Sequence, residues 1–322
     1  MNLYPLKFKP IFKERLWGGS KLKKVLNKEV NGDQVGESWE LSAVENDVSV
    51  VANGALSGQL LSKLIKTYKA QLVGEKIYNR FGDDFPVLIK FIDAQKDLSI
   101  QLHPNDELAK KRHNSFGKTE MWYIMQADDE GRLIVGFNKD VTKEEYTAHL
   151  ENNTLSEILN YEKVEEGDTF FINTGKIHAI GAGIMLAEIQ QTSDITYRVY
   201  DWNRKDKDGK TRELHTELAL DAIDYQKKDD FKVAYQNKIN VSNEMVDCPY
   251  FKTNFLNVSG EVTVDLSKRD SFTIYMCVKG HATLRNDHGE EEINYGETVL
   301  IAAESNQVKI KAANVKLLEV HI

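Results

Sequence analysis

Short apolar segments, each ended by Gly, Asn or Asp, dominate this chain and exclude a fold built from long helices. SVVANG, FPVLIKFI, LSIQLH, EMWYIMQ, RLIVGF, DTFFIN, MLAEIQQ and ITYRVYDW are rich in β-branched and aromatic residues, the pattern of strands between turns. Three stretches predict helices instead. One covers 60–80 and a second 105–113, directly after Pro104. The third starts at Thr142, where Glu145 completes a capping box, and Thr154 with Glu157 repeats the device. From Phe251 onward the pattern is strand alone. FKTNFLNVSG, EVTVDL, SFTIYMCVKG, HATLRN, EEINYG, ETVLIAA, QVKIKAA and VKLLEVHI predict eight short strands in a self-contained sandwich or jelly roll. The polar stretch 225–243 is the natural connection, so two domains are expected, 1–240 and 241–322. The 322 residues fit that division at roughly 100–200 residues per domain.

The formal net charge is −8, from 42 Lys and Arg against 50 Asp and Glu. A nucleic-acid surface grips phosphates with clustered cations, which argues against that class of partner. A small phosphorylated ligand needs only a few cations in one cleft. The longest apolar stretches, such as FPVLIKFI, fall far short of the ~20 residues needed to span a bilayer. The start, MNLYPLKFKPIF, lacks the apolar core of a signal peptide, and Cys248 and Cys277 alone make no disulfide framework. A reducing, cytoplasmic setting is expected, with both thiols buried and inert. Oligomeric state is left open by these features, with a monomer favoured.

The segment 167–178, GDTFFINTGKIH, has a counterpart in 296–307, GETVLIAAESNQ. Each puts a tight turn before an apolar strand and a second turn after it. Only the first ends in a histidine, His178; Gln307 stands at that place in the second. The first resembles the second cupin motif, Gly-x5-Pro-x-Gly-x2-His, with Asn173 in place of the proline. That resemblance implies a mainly β architecture of two cupin-like jelly-roll barrels, the few helices being inserted in or flanking the N-terminal one. The C-terminal barrel, without the ligand, would serve packing or shape the cleft.

Three short segments supply metal-type ligands. In LSIQLHPND, Gln101 and His103 stand two apart on a predicted strand, so their side chains share a face opposite Ile100 and Leu102. Lys118 and Glu120 share a face of GKTEMWYI by the same rule, and His178 opens a strand directly after a turn. Two imidazoles, a carboxylate and an amide oxygen form a mixed N/O set that suits a divalent metal such as zinc. Each residue has a bland alternative: Gln-x-His on a strand is often structural, and a lone Glu120 often lies on the surface. Their common placement, beside turns of one predicted barrel, favours ligation. His113 and His149 fall in predicted helices, His215 at a loop-to-helix junction, and His281, His288 and His321 in the C-terminal unit; none is assigned a role.

Seven segments occur in the order known from one enzyme family: RLWGG (15–19), GESWELS (36–42), FPVLIKFIDA (85–94), LSIQLHPND (98–106), GKTEMWYI (117–124), TGKIHAIG (174–181) and EIQQTSDITYRVYDWNR (188–204). On these the chain resembles the type I mannose-6-phosphate isomerases of the shorter bacterial kind. The resemblance implies one Zn2+ per chain, held by Gln101, His103, Glu120 and His178. It implies a catalytic set of Arg198, Lys118, Glu188 and Asp194, in which Glu188 lies near the reacting carbons and Asp194 serves ring opening. Lys90 and Lys118, with Ser99 and Trp17, are the implied substrate-binding residues. The sequence departs from many members in reading Lys118-Thr119-Glu120 for Lys-Pro-Glu. Gly117 stands where longer members place a histidine, so that histidine's role does not transfer. The stretch between Glu120 and the His178 segment also leaves no room for their large helical insert.

The implied reaction interconverts mannose 6-phosphate and fructose 6-phosphate through an enediol-type intermediate. A proton must leave a carbon beside a carbonyl; a Lewis acid and preorganised cations stabilise the charge that develops. The phosphate, remote from the reacting carbons, supplies binding energy. Lys90 lies inside VLIKFI, where a solvated lysine is unusual; the alternative is an edge-strand lysine that blocks aggregation. Asp194 and Arg198 fall four apart and share a face if TSDITYRVY is extended, the alternative being an exposed ion pair. Three rivals stay open: another hexose-phosphate isomerase or epimerase, an iron-dependent cupin oxygenase or epimerase, and a metal-binding cupin that recognises sugars without turnover. The cations around the ligands speak against an oxygenase, and the one intact ligand set speaks against a pure binder.

Overall fold

Val87–Ala94 and Ile184–Gln191 pair antiparallel along their whole length, and every residue of both strands is buried. Val87, Ile89 and Phe91 face one core while Ile92 and Ala94 face another. The segment therefore reads as unbroken apolar sequence because both of its faces are covered. This computed structural model describes residues 3–206 and 208–322.

The pair forms the middle of a six-stranded sheet ordered Thr169–Ile172, Glu120–Ala127, Ile184–Gln191, Val87–Ala94, Ile11–Gly19 and Val35–Leu41. A five-stranded sheet lies opposite, ordered Leu159–Lys163, Arg132–Phe137, His178–Ile180, Ile100–Leu102 and Tyr197–Tyr200. Ile92, Trp122 and Leu186 from the first meet Leu133, Val135 and Ile180 from the second in one core. Among the described residues no ladder joins the two sheets, so they form the walls of a jelly roll that hydrogen bonds do not close. The outer face of the five-stranded sheet is covered by Tyr146 from helix Lys143–Glu151 and Ala219 from helix Thr216–Leu220.

A third sheet runs Ser242–Asp247, Lys252–Asp265, Gln307–His321, Thr273–Asn286 and Gly289–Asn294, with Thr298–Ile301 paired to Thr273–Asn286. Its Phe255, Met276 and Leu318 pack into the same core as Phe91, Met121 and Met185 of the six-stranded sheet. The eight expected C-terminal strands are five. FKTNFLNVSG continues into EVTVDL, SFTIYMCVKG into HATLRN, and QVKIKAA into VKLLEVHI, while Ser242–Asp247 adds one upstream. Gly260 (φ 86°) and Gly280 (φ 80°) sit at register shifts inside continuous strands. They are bulges, which bend a strand without ending it. The internal repeat holds in the backbone: Gly167 and Gly296 both take positive φ, Thr169–Ile172 and Thr298–Ile301 follow, and His178 and Gln307 each open the next strand.

The helix expected over 60–80 is three short ones, Leu61–Tyr68, Ala70–Val73 and Glu75–Phe81, broken at Lys69 (φ 46°) and Gly74 (φ 98°). Thr142 caps Lys143–Glu151 as expected, its side chain accepting the Glu145 N–H. Thr154 does not repeat this. It precedes a 3-10 turn, Leu155–Ile158, and makes no capping bond there, its hydroxyl being engaged with His149. Among the described residues no helix is long and apolar enough to cross a membrane.

The chain's first described residues extend the C-terminal sheet. Leu6 exchanges both backbone hydrogen bonds with Leu300 at 2.9 Å, and Asn286 Nδ2 donates to the Leu3 carbonyl. A second tie runs through Asp270, which accepts the Glu75 and Lys76 N–H groups at the start of their helix, at 2.6 and 3.0 Å. Gly74 allows this approach, since a Cβ there would stand 2.4 Å from the Asp270 carbonyl oxygen. Gly74→Ala should therefore destabilise the protein by about 1–3 kcal/mol through backbone strain alone, with the clash added. Urea denaturation checks this: the midpoint should fall while the slope stays the same.

Candidate functional site

Register does most of the assembly. In the five-stranded sheet Gln101 lies directly opposite His178 on one side and Arg198 on the other. Three side chains from three strands therefore stand in one row on one face. In the six-stranded sheet Glu188 lies opposite Lys90 and Trp122, and Lys90 opposite Trp39, which makes a second row. The two rows meet across a cleft of about 500 Å³ lined by Trp17, Lys90, Ser99, Gln101, Lys118, His178, Glu188, Asp194 and Arg198.

His103 and Glu120 lie beneath this lining, each 1 % exposed. His103 Nε2 is 3.5 Å from one Glu120 oxygen and His178 Nε2 is 3.5 Å from the other. The far nitrogens are committed: His103 Nδ1–H donates to the Ile195 carbonyl at 2.9 Å and His178 Nδ1–H to the Lys176 carbonyl at 2.8 Å. These bonds fix the tautomer in which each Nε2 presents a lone pair. Burial, reinforced by the Lys118 charge, holds His103 well below the usual imidazole range. Burial likewise takes His178 down to about 4. Both rings are therefore neutral, the ligating form.

Burial, with repulsion from Glu188, pushes the Glu120 carboxyl up, against the pull of Lys118 and Lys90. Both Glu120 oxygens and both Nε2 atoms are buried without a hydrogen-bond partner. Leaving four such atoms without hydrogen bonds is costly, although the Lys118 ammonium stands 3.4 Å from one of the Glu120 oxygens. A divalent cation satisfies them all at once, and the donor set of two neutral imidazoles and a carboxylate fits one. Among the described residues His103, Glu120 and His178 form a group able to hold a metal. Gln101 presents its amide in the same row, its Oε1 accepting from Ser99 Oγ at 3.3 Å.

Around this seat the charges are arranged unequally. Lys90 is 2.9 Å from Glu188 and 3.9 Å from Glu37, on a central strand and 5 % exposed, so it is no edge-strand gatekeeper. Trp122 Nε1 donates to the second Glu188 oxygen at 3.0 Å. Burial pushes Glu188 up, but Lys90 and Lys118 outweigh it and its carboxyl is held low. Burial also opposes charge on Lys118, yet Glu120, at 3.4 Å, and Glu188 raise it overall, so it stays an ammonium. Arg198 differs: its guanidinium donates to Ser99 Oγ and to the Glu213 carbonyl, and among the described residues no carboxylate lies within ion-pair distance. Asp194 and Arg198 both line the cleft but are not ion-paired. Asp194 is exposed in the loop before Tyr197–Tyr200, so the extended segment expected through both does not form.

The cleft residues not singled out from sequence include Arg15, Glu37, Trp39, Trp122 and Arg212. Glu37 accepts from Arg15 Nε at 2.7 Å and Trp39 Nε1 at 2.6 Å. Burial opposes its ionisation, but Lys90 and Arg15 take it down to about 2. A signal was available, since Glu37 and Trp39 alternate within GESWELS as Gln101 and His103 do within LSIQLHPND. Gly117 stands against the chain at Asn105 and Asp106, where a Cβ would lie 2.7 Å from the Asp106 nitrogen, so no histidine fits there without movement.

A family model described as phosphomannose isomerase type I, catalytic domain, matches residues 5–130, and one described as mannose-6-phosphate isomerase, cupin domain, matches 241–322. Mannose-6-phosphate isomerase ManA of Bacillus subtilis (strain 168) is 36% identical over 314 residues, which cover 97% of each chain. The mannose-6-phosphate isomerase of Streptococcus mutans is 33% identical over 94% of this chain and 99% of its own. The crystal structure of mannose 6-phosphate isomerase from Bacillus subtilis superposes with a TM-score of 0.91 at 29% identity, over 99% of this chain and 100% of that one. With a jelly-roll fold, a buried seat for a metal and full-length relatives of one activity, the chain belongs to the type I mannose-6-phosphate isomerase family, enzymes that carry a cupin domain.

Proposed function

We propose that the chain interconverts mannose 6-phosphate and fructose 6-phosphate with one Zn2+ bound, through an enediol-type intermediate. The observation that carries this is the set of four buried atoms without hydrogen-bond partners on His103, Glu120 and His178 beneath a cation-lined cleft. These three residues with Gln101 would hold the zinc, the neutral-imidazole and oxygen donors suiting it. When bound, it supplies Lewis acidity toward the sugar oxygens.

The chain's own residues supply the rest. Glu188 is the proton carrier in this reading: Lys90 and Trp122 each hold one of its oxygens and set its orientation, and each oxygen keeps a second lone pair for the proton beside the carbonyl. Lys118 and Arg198 remain charged and stabilise the oxygen that becomes negative. Lys118 also binds substrate, with Ser99 placed by its bond to Arg198 and Trp17 forming a wall. Asp194, at the exposed mouth, serves ring opening. Lys90 reaches the sugar from within its pairing with Glu188 and acts mainly by holding that carboxylate. In this reading 1–240 does the chemistry and 241–322 supports it, in a cytoplasmic protein that acts as a monomer.

Four measurements follow. Elemental analysis should find about one zinc per chain, and a coupled assay on mannose 6-phosphate should lose activity on chelation and regain it with zinc. His178→Ala should lose both metal and activity while staying folded; full zinc occupancy in that variant would remove it from the ligand set. Glu188→Gln should abolish both turnover and the exchange of substrate carbon-bound hydrogen with solvent deuterium. Exchange at the parent rate would exclude Glu188 as the proton carrier. Arg198→Ala should lower kcat by ~100-fold or more, the scale for losing one preorganised charge-stabilising group. Steady-state kinetics at fixed ionic strength, with zinc content checked, reads this out.

A further inference from the structure

The groups that hold the Lys118–Glu120 segment lie outside the cleft. Asp106 opens the helix Asp106–His113, three residues after His103. Its Oδ1 accepts the Gly117 N–H at 2.8 Å and Gln191 Nε2–H at 3.0 Å, and its Oδ2 accepts the Tyr250 hydroxyl at 2.9 Å. Gln191, 5 % exposed, closes the knot: its Oε1 accepts the Thr119 N–H at 2.8 Å and its own N–H donates to the Thr119 carbonyl at 3.1 Å. Both backbone groups of Thr119 are thus held by one residue, with Lys118 and Glu120 on either side.

The knot reaches the other ligand segments as well. The Lys118 N–H donates to the Pro104 carbonyl at 3.3 Å, and the Gly175 N–H to the His103 carbonyl at 2.9 Å, ahead of His178. Close packing of Gly117 on Asn105 and Asp106 leaves it little slack. A ligand side chain is no better placed than the backbone that bears it, and groups that orient ligands control affinity for the metal.

We propose that Asp106 is a positioning residue for the metal centre, and that Tyr250 is a polar contact through which the C-terminal unit reaches it. This rests on the reading that His103, Glu120 and His178 hold the metal. The network asks of Asp106 an acceptor for two N–H groups and a partner for the phenol; it does not ask for charge. Asparagine meets both needs, since its amide nitrogen can donate to the Tyr250 oxygen. Alanine meets neither. Burial, with the neighbouring Asp106, pushes the Tyr250 phenol up to about 12, so it is a protonated donor at neutral pH.

Zinc affinity measured by competition with a chromophoric chelator, alongside kcat and KM at saturating zinc, tests this on the full-length chain. Asp106→Ala should bind zinc ~10–100-fold more weakly and lose a similar factor in kcat, with KM within about twofold. Asp106→Asn should restore both to within about threefold of the parent, and Tyr250→Phe should fall between. His178→Ala serves as reference. If Asp106→Ala keeps parental zinc affinity and kcat while His178→Ala loses zinc, the positioning role is overturned and the metal reading stands. If His178→Ala also keeps parental affinity, the centre lies elsewhere and both readings fall. An Asp106→Asn variant as weak as alanine would overturn the geometric account. Should Asp106→Ala fail to fold, Tyr250→Phe decides: parental zinc affinity and kcat would overturn the proposal.

Discussion

Lys90 and Glu188 meet 2.9 Å apart inside a sheet that is covered on both faces. Both are nearly buried at the wall of the cleft, and removing one partner of such a pair costs roughly 3–5 kcal/mol because the other is stranded. The pair also sets register. A slip of one residue would turn Lys90 to the face of Ile89 and Phe91, where the core is apolar. Register in turn places Trp39 and Trp122 beside the pair. The same logic, strand by strand, sets Gln101 between His178 and Arg198 on the opposite wall.

The cleft works by contrast between matched and unmatched charge. Net charge is −8, so the protein as a whole repels a phosphorylated sugar, and the field must reverse locally where the ligand enters. Lys90, Arg15 and Arg212 cannot do this alone, since each lies beside a carboxylate. Arg198 is held by a hydroxyl and a backbone carbonyl instead, and keeps its charge available to a ligand. Below it, the imidazoles stay neutral because burial penalises their cationic form, and burial with Glu188 pushes the Glu120 carboxyl up to about 7, so a bound cation would favour its ionised form.

Much of this was legible in the sequence because it is local. Alternation placed Gln101 and His103 together, the turn–strand–turn repeat located His178, and an out-of-place lysine in VLIKFI pointed to the cleft wall. What failed was also local in appearance. Gly260 and Gly280 look like turns, but whether a glycine ends a strand or kinks it depends on the partner strand, which composition does not reveal. The helix over 60–80 breaks where Asp270, far along the chain, comes against Gly74. Thr154 carries the capping pattern, yet its hydroxyl is taken by His149. Glu37, Trp39 and Arg15 were passed over because their meaning comes from Lys90 and Glu188, contributed by other strands.

The exchange of hydrogen bonds between Leu6 and Leu300 bears on how the protein is made. On the ribosome, Leu3–Leu6 are made long before their partner strand, Thr298–Ile301. The facing sheets of the first 200 residues can form as that part leaves the exit tunnel, since N-terminal units generally fold first. The C-terminal sheet cannot gain its extra strand until Thr298–Ile301 has been made, and the Glu75 helix waits in the same way for Asp270. Contacts so distant along the chain are slow to close. Nascent chains paused before residue 300 would carry an unpaired Leu3–Leu6 segment and a Phe91 face not yet covered by Leu318, which makes that interval one of high exposure to chaperones and to aggregation.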